Sequence, residues 1–159
     1  MKNLYSDNFL ETTTTTDGKN DPIKVWTNTQ LAGSRTMPLF LKTYAEIMEK
    51  DFGRPFMACD DINRLDVVFC TDMDDHVLGG ITWTYKELFR EGWMVLGFTD
   101  PAHRGRRINE VAHVYLERMV RARGGDKIAS YVNVNNVARL KSIERTGMKP
   151  QFYRMAKYI

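Results

Sequence analysis

Residues 95–120 read VLGFTDPAHRGRRINEVAHVYLERMV, and the parsing of this stretch decides how the rest of the chain folds. Its first five residues have the aromatic and β-branched character of a strand. From Ile108 the period changes. Ile108, Val111, Ala112, Tyr115, Leu116 and Met119 recur at the spacing of one helical face, while Glu110, His113, Glu117 and Arg121 are expected to face away. The pair Gly124–Gly125 ends the helix. Between strand and helix lies PAHRGRRINE (101–110), with three arginines, a histidine and one glycine. A helix that starts there presents unpaired backbone N–H groups and its positive dipole end, and the arginines add charge. A solvated basic turn would carry the same residues. The position between strand and helix favours an anion site, such as a pyrophosphate cradle.

Working outward, RLDVVFC (64–70), HVLGGITWTY (76–85) and WMVLGFT (93–99) are strand-like runs separated by short polar turns, which predicts an antiparallel meander. On the N-terminal side, IKVWT (23–27) is a further strand. A helix is expected from Ser34 to Phe52, where Leu41, Tyr44, Ala45 and Met48 recur at helical spacing, bent or divided by Pro38 and the Gly53–Pro55 break. Downstream, KIASYVNV (127–134) reads as a strand, NNVARLKSIERTG (135–147) as a capped helix and QFYRMAKYI as a last strand. The order β-α-β-β-β-α-β-α-β makes an α/β (α+β) domain around one mixed sheet. Residues 1–20, with their threonine run, are expected to be a flexible arm with few core contacts, and residues 21–159 a single domain.

Composition narrows the function. A chain of 159 residues fits one domain, and the net charge of +3 is too small to announce a nucleic-acid partner. The distribution says more: residues 1–99 hold 10 Lys and Arg against 15 Asp and Glu, residues 100–159 hold 13 against 5. The basic half begins at the junction, and the acidic half would favour a cationic substrate. Arg139, Lys141, Arg145 and Lys149 form a basic run without a base-reading motif, which argues against nucleic acid. No metal site is expected: His76, His103 and His113 lack ligand spacing, and DMDDH (72–76) begins like a calcium loop but lacks its central glycine and final glutamate. Cys59 and Cys70 make no CxxC pair, and no apolar run approaches the ~20 residues of a bilayer span. Both point to a cytoplasmic chain, with Cys70 a buried small hydrophobe.

The stretch 95–120 resembles the central acyl-CoA-binding motif of the GCN5-related N-acetyltransferases, the GNAT family. Pro101–Arg104 matches the loop, Arg104 the leading basic position, and Arg107 and Asn109 fall where the motif's two glycines belong. NVNNVARLKSIERTGM resembles the family's second signature, with Asn136 and Gly147–Met148 at matching positions, and the similarity in element order covers residues 64–159. The resemblance implies a GNAT-like fold with a mixed central sheet, acetyl-CoA as acyl donor, no metal, and direct transfer to the amine of a small molecule or protein. It places Gly97, Thr99, Arg104, Gly105, Arg106, Arg107, Ile108, Asn109 and Asn136 at the cofactor.

The same resemblance leaves the chemistry open. Asp100 and Glu91 are candidate bases, and His103 belongs with the phosphates. A tyrosine that many members use to protonate the departing thiolate is replaced by Ile143, leaving Ser142 and Tyr131 as candidate acids. A side chain at Asn109 would occupy the cradle, whereas Arg107 pointing outward would help by charge; changing both to glycine is expected to tighten acetyl-CoA binding. The alternative is a catalytically silent GNAT-like protein that binds a partner or a second copy of itself; some phage virion components are loosely similar.

Overall fold

The computed structural model describes residues 11–47 and 62–151. The expected last strand, the second half of the expected first helix and Cys59 lie outside the described residues, apart from Gln151 and the residues up to Ile47. Six strands form one sheet in chain order: β1 (Glu11–Thr16), β2 (Pro22–Gln30), β3 (Asp66–Thr71), β4 (Val77–Lys86), β5 (Glu91–Thr99) and β6 (Lys127–Ser130). The first five pair antiparallel and β5 pairs parallel with β6, so the sheet is mixed as expected. Three helices flank it: α1 (Met37–Ile47), α2 (Ile108–Ala122) and α3 (Val137–Arg145).

Residues 11–16 correct the expectation of an arm. They form the edge strand β1, in register with β2 from Glu11 opposite Thr27 to Thr16 opposite Pro22. Thr12, Thr13 and Thr14 are exposed, which explains why no apolar period marks the strand. Branched Cβ atoms favour extended backbone without burial, and the ladder to β2 supplies the rest. Asp17 closes the hairpin, its Oδ1 accepting from the N–H groups of Lys19 (2.7 Å) and Asp21 (3.0 Å).

Each face of the sheet has its own core. On one, Ile108, Ala112, Leu116, Met119 and Val120 of α2 pack on Ile23, Val68, Ile81, Trp83 and Met94. On the other, Phe40 of α1 packs with Leu31, Leu65, Phe69 and Phe98. Pro38 falls in the first turn of α1, where its missing N–H costs nothing. The segment DMDDH is a hairpin turn: Asp72 Oδ1 accepts from the N–H groups of Asp74 and His76, both at 2.9 Å. Cys70 is fully buried and its thiol is pushed up to about 12 by that burial, so it packs as a small hydrophobe.

The helical stripe of α2 was drawn one residue too narrow. His113, expected to face away, is buried at 4% exposure, and Val114 takes the outward position at 48%. A histidine's ring is apolar enough to be packed when a partner serves one nitrogen, here Glu117 at 3.4 Å from Nδ1.

Two features of β5 position the site. Thr82 opposes Leu96 but Trp83 opposes Met94, so Val95 is the extra residue of a bulge. The ladder to β6 ends at Met94 opposite Ser130, and β6 stops there rather than at 134. Beyond the bulge, β5 continues to Thr99 with no ladder to β6, and the gap opens toward α3.

Candidate functional site

The junction after β5 is built from local chemistry. Asp100 accepts a hydrogen bond from the Ala102 N–H (2.9 Å) and caps a single 3-10 turn, Pro101–His103. Gly105 then takes a φ of 81°, a left-handed conformation that glycine reaches without strain. Arg107 follows with φ 57° and ψ 30° as the cap of α2. It holds a left-handed conformation at the place where the resembled motif has its first glycine. The backbone makes the glycine-like turn without glycine, at a cost of ~1–2 kcal/mol.

That turn leaves the helix end open. The Arg107 carbonyl accepts from Glu110 (3.0 Å) and Val111 (3.1 Å), whereas the N–H groups of residues 105–109 meet no acceptor among the described residues. Four of these residues, Gly105, Arg107, Ile108 and Asn109, line a pocket of about 290 Å³ together with Thr99, His103, Arg104, Ser142 and Arg145. Its one carboxylate, Glu110, is engaged by Arg145 at 2.8 and 2.5 Å. The balance of the pocket is strongly positive, and its donors converge as an anion site requires.

Several expected site residues have different work. Arg106 is not in this pocket: it is paired with Asp17, lies 3.5 Å from Asp21, and sits 3.1 Å from His103 Nδ1. The β1–β2 hairpin therefore braces the junction from behind, helped by Gly18, whose N–H reaches the Arg106 carbonyl at 2.8 Å. Asn109 lines the pocket, but its amide turns toward the sheet. With the amide assigned the orientation that satisfies both its ends, its nitrogen donates to the carbonyls of Gly80 (2.9 Å) and Phe98 (3.1 Å) and its oxygen accepts from Thr99 Oγ1 (3.3 Å), tying α2 to β4 and β5. Ile108 is buried in the core. Asn136 caps α3 by accepting from the Arg139 N–H at 3.1 Å.

The candidate acids and bases separate into two places. Asp100 and Thr99 lie at the junction, and Ser142 lines its pocket. Glu91 is at the opposite end of β5, about 26 Å away by strand rise, nearly buried and paired with Lys127 at 2.8 Å. Tyr131 is exposed and packs edge-on against Trp93 at 4.8 Å. Glu91, Tyr131 and the buried Ile143 line a different depression of about 940 Å³ beside β6.

Sequence reasoning named Arg139 only within a basic run and gave it no role at the site. Gly97 and Thr99 lie on the α2 side of the sheet, and α3 brings the Arg139 side chain across the gap beyond the bulge. A Cβ on Gly97 would lie 2.9 Å from Arg139 Nη1 and 3.0 Å from Nη2, so the guanidinium fills the space that the glycine leaves. Surrounding protein brings its pKa down to about 10, although part of the side chain still meets solvent. The available signal was a long cation at the fourth position from Asn136, beside a mid-strand glycine.

The sequence matches no family profile and no curated protein. Solved structures share its architecture. A Klebsiella pneumoniae protein described as an acyl-CoA N-acyltransferase superposes with a TM-score of 0.63 over 93% of this chain and 88% of its own, at 16% identity. The Bacillus subtilis acetyltransferase YycN gives 0.62 over 86% and 98%, at 18% identity. The fold is GNAT-like. An aminoglycoside acetyltransferase from an uncultured soil metagenomic sample, crystallised with sisomicin, gives 0.60 over 96% and 97%, at 14% identity. Within the GNAT-like frame, β5 is a bulged strand that parts from β6 beyond Met94, and α2 is the helix that follows it.

Proposed function

We propose that the chain is an N-acyltransferase that takes an acyl-CoA, with acetyl-CoA the reference donor, and transfers the acyl group to an amine. The observation that carries this reading is the α2 N-terminus, where Gly105, Arg107, Ile108 and Asn109, whose N–H groups have no acceptor among the described residues, border a basic pocket at the end of a bulged strand. Those donors, with Arg104 and Arg107, suit the pyrophosphate of coenzyme A. The β5 edge past Val95, which has no ladder to β6, offers backbone groups to the pantetheine arm and the thioester. The bound donor supplies an activated acyl carbon.

The amine nitrogen attacks the thioester carbonyl carbon, the C–S bond breaks, and the sulfur leaves with the bonding electrons. The nitrogen loses a proton and the thiolate gains one. Asp100 is the better-placed candidate base, because it lies at the junction while Glu91 sits at the far end of the strand in an ion pair. Ser142 lines the same pocket as the phosphate donors and is the candidate acid; Tyr131 lies in the other depression.

The acidic residues of the first half support a cationic amine as acceptor, and the sisomicin-bound neighbour supports a small polyamine-like molecule over a protein. No helix among the described residues is long and apolar enough to cross a membrane. Calorimetric titration of the full chain with coenzyme A and acetyl-CoA tests the reading. Binding that weakens as salt rises is the expected result. A folded chain that binds neither sinks the enzyme reading in favour of the silent, partner-binding alternative.

A further inference from the structure

Arg139 is unusual on three counts. Its guanidinium lies against the backbone of β5 at Gly97, in the gap that opens where the β5–β6 ladder ends. Nearby carboxylates are committed elsewhere: Glu110 to Arg145 and Glu117 to His113. No carboxylate or carbonyl among the described residues accepts a hydrogen bond from the Arg139 side chain. A guanidinium carries five donors in a rigid fork and no acceptor, and enclosing it without an anion is costly. The site is thus built for a ligand that brings a carboxylate of its own.

The position says which ligand. Gly97 and Thr99 are two residues apart on one face of β5, about 7 Å by strand rise, and Thr99 borders the phosphate pocket. A donor anchored at the α2 N-terminus and laid along the free edge of β5 brings its acyl end toward Gly97, hence toward Arg139. We infer that Arg139 recognises a carboxylate on the acyl group, so that the donor is the coenzyme A monothioester of a short dicarboxylic acid rather than acetyl-CoA. This inference rests on the acyl-CoA reading above. The planar fork meets a carboxylate through two parallel hydrogen bonds, which lysine cannot reproduce. An acetyl group offers nothing to that fork and leaves the charge unanswered.

The test compares succinyl-CoA with butyryl-CoA, which has a similar chain length and no carboxylate, and with coenzyme A itself. Affinities are measured calorimetrically on the full chain, its Arg139→Ala variant and its Arg139→Lys variant, with circular dichroism melts to confirm folding. The native chain is expected to bind succinyl-CoA about 10- to 100-fold more tightly than butyryl-CoA, the range of a good charge-assisted pair. Arg139→Ala should erase that preference while coenzyme A affinity holds within about threefold, and Arg139→Lys should keep a reduced preference. Equal affinity for the two thioesters on the native chain overturns the inference and leaves the acyl-CoA reading standing. So does a rise in affinity for both on Arg139→Ala, which would make the side chain a steric plug. If no coenzyme A species binds the folded chain, both readings fall together.

Discussion

Asp17 and Arg106, 89 residues apart in the chain, form an ion pair in which the Asp17 side chain is wholly shielded and the Arg106 side chain retains 15% exposure. The pair ties the tip of the β1–β2 hairpin to the loop that opens α2. Burial works against the Asp17 charge, but the Arg106 guanidinium and the N–H groups of Lys19 and Asp21 outweigh it and hold the carboxyl below its ordinary 3.8. The hairpin is therefore part of the foundation of the pocket at the α2 N-terminus, though none of its residues lines it.

Breaking this pair should be expensive. Asp17→Ala leaves a mostly buried guanidinium and two turn N–H groups unmatched, and is expected to cost about 3–5 kcal/mol in urea denaturation. Because the folded carboxyl titrates below its unfolded value, the native contribution is complete above pH 3.8 and is lost as pH falls through the lower folded value. Denaturation midpoints between pH 5 and pH 2, on the order of a three-unit scan, should fall more steeply for the native chain than for Asp17→Asn. Parallel curves would place the acid sensitivity elsewhere.

His113 sets a second pH dependence. Burial lowers its pKa, Arg139 adds to that, and Glu117 opposes both without winning. The unfolded histidine binds a proton at a higher pH than the folded one, so stability falls as pH drops below 6.5. The slope should approach ~1.4 kcal/mol per pH unit and then level off below the folded value. His113→Gln should flatten this part of the profile, as read from thermal melts.

The cap of α2 separates two substitutions that look equivalent in the sequence. Arg107→Gly relieves a left-handed φ of 57° and should stabilise the chain by up to ~1 kcal/mol, reduced by lost packing on Gly18. Asn109→Gly removes the amide that binds the Gly80 and Phe98 carbonyls, and should destabilise by about 1–3 kcal/mol. The double variant is therefore expected to lose stability without improving the cradle. Chemical denaturation of the two single variants checks the opposite signs.

Helical phase gives a sharper contrast on α2. Leu116 is fully buried, so Leu116→Ala should cost about 2–5 kcal/mol. Glu117 is 41% exposed at its side chain, and Glu117→Ala should cost about 0.5 kcal/mol, plus what its contact with His113 adds. Similar losses for both would contradict the packing of α2 on the sheet.

Much of the fold was legible because its signals are local. The meander from 64 to 99 shows as β-branched and aromatic runs between polar turns, and α2 shows as a six-residue stripe ending in two glycines. The open N-terminus of α2 was legible for the same reason: a helix starting directly after a strand has free N–H groups whatever surrounds it. β1 was missed because an edge strand of exposed threonines is stabilised by its neighbour's backbone, which leaves no mark on its own pattern.

Tertiary structure decided what the polar side chains do. Arg104, Arg106 and Arg107 are near-neighbours of one residue type, yet Arg106 is taken by a hairpin 89 residues away, whereas Arg104 and Arg107 line the pocket and Arg107 also makes the left-handed turn. Asn109 was drawn from the motif by spacing and Glu91 from its place near a strand end, but cross-sheet partners turned one inward and tied the other to Lys127. Arg139 acquired its place only when α3 packed over Gly97. Backbone conformation follows from residues a few positions apart, whereas a charged side chain goes to whichever partner the folded chain brings within reach, and only three dimensions contain that partner.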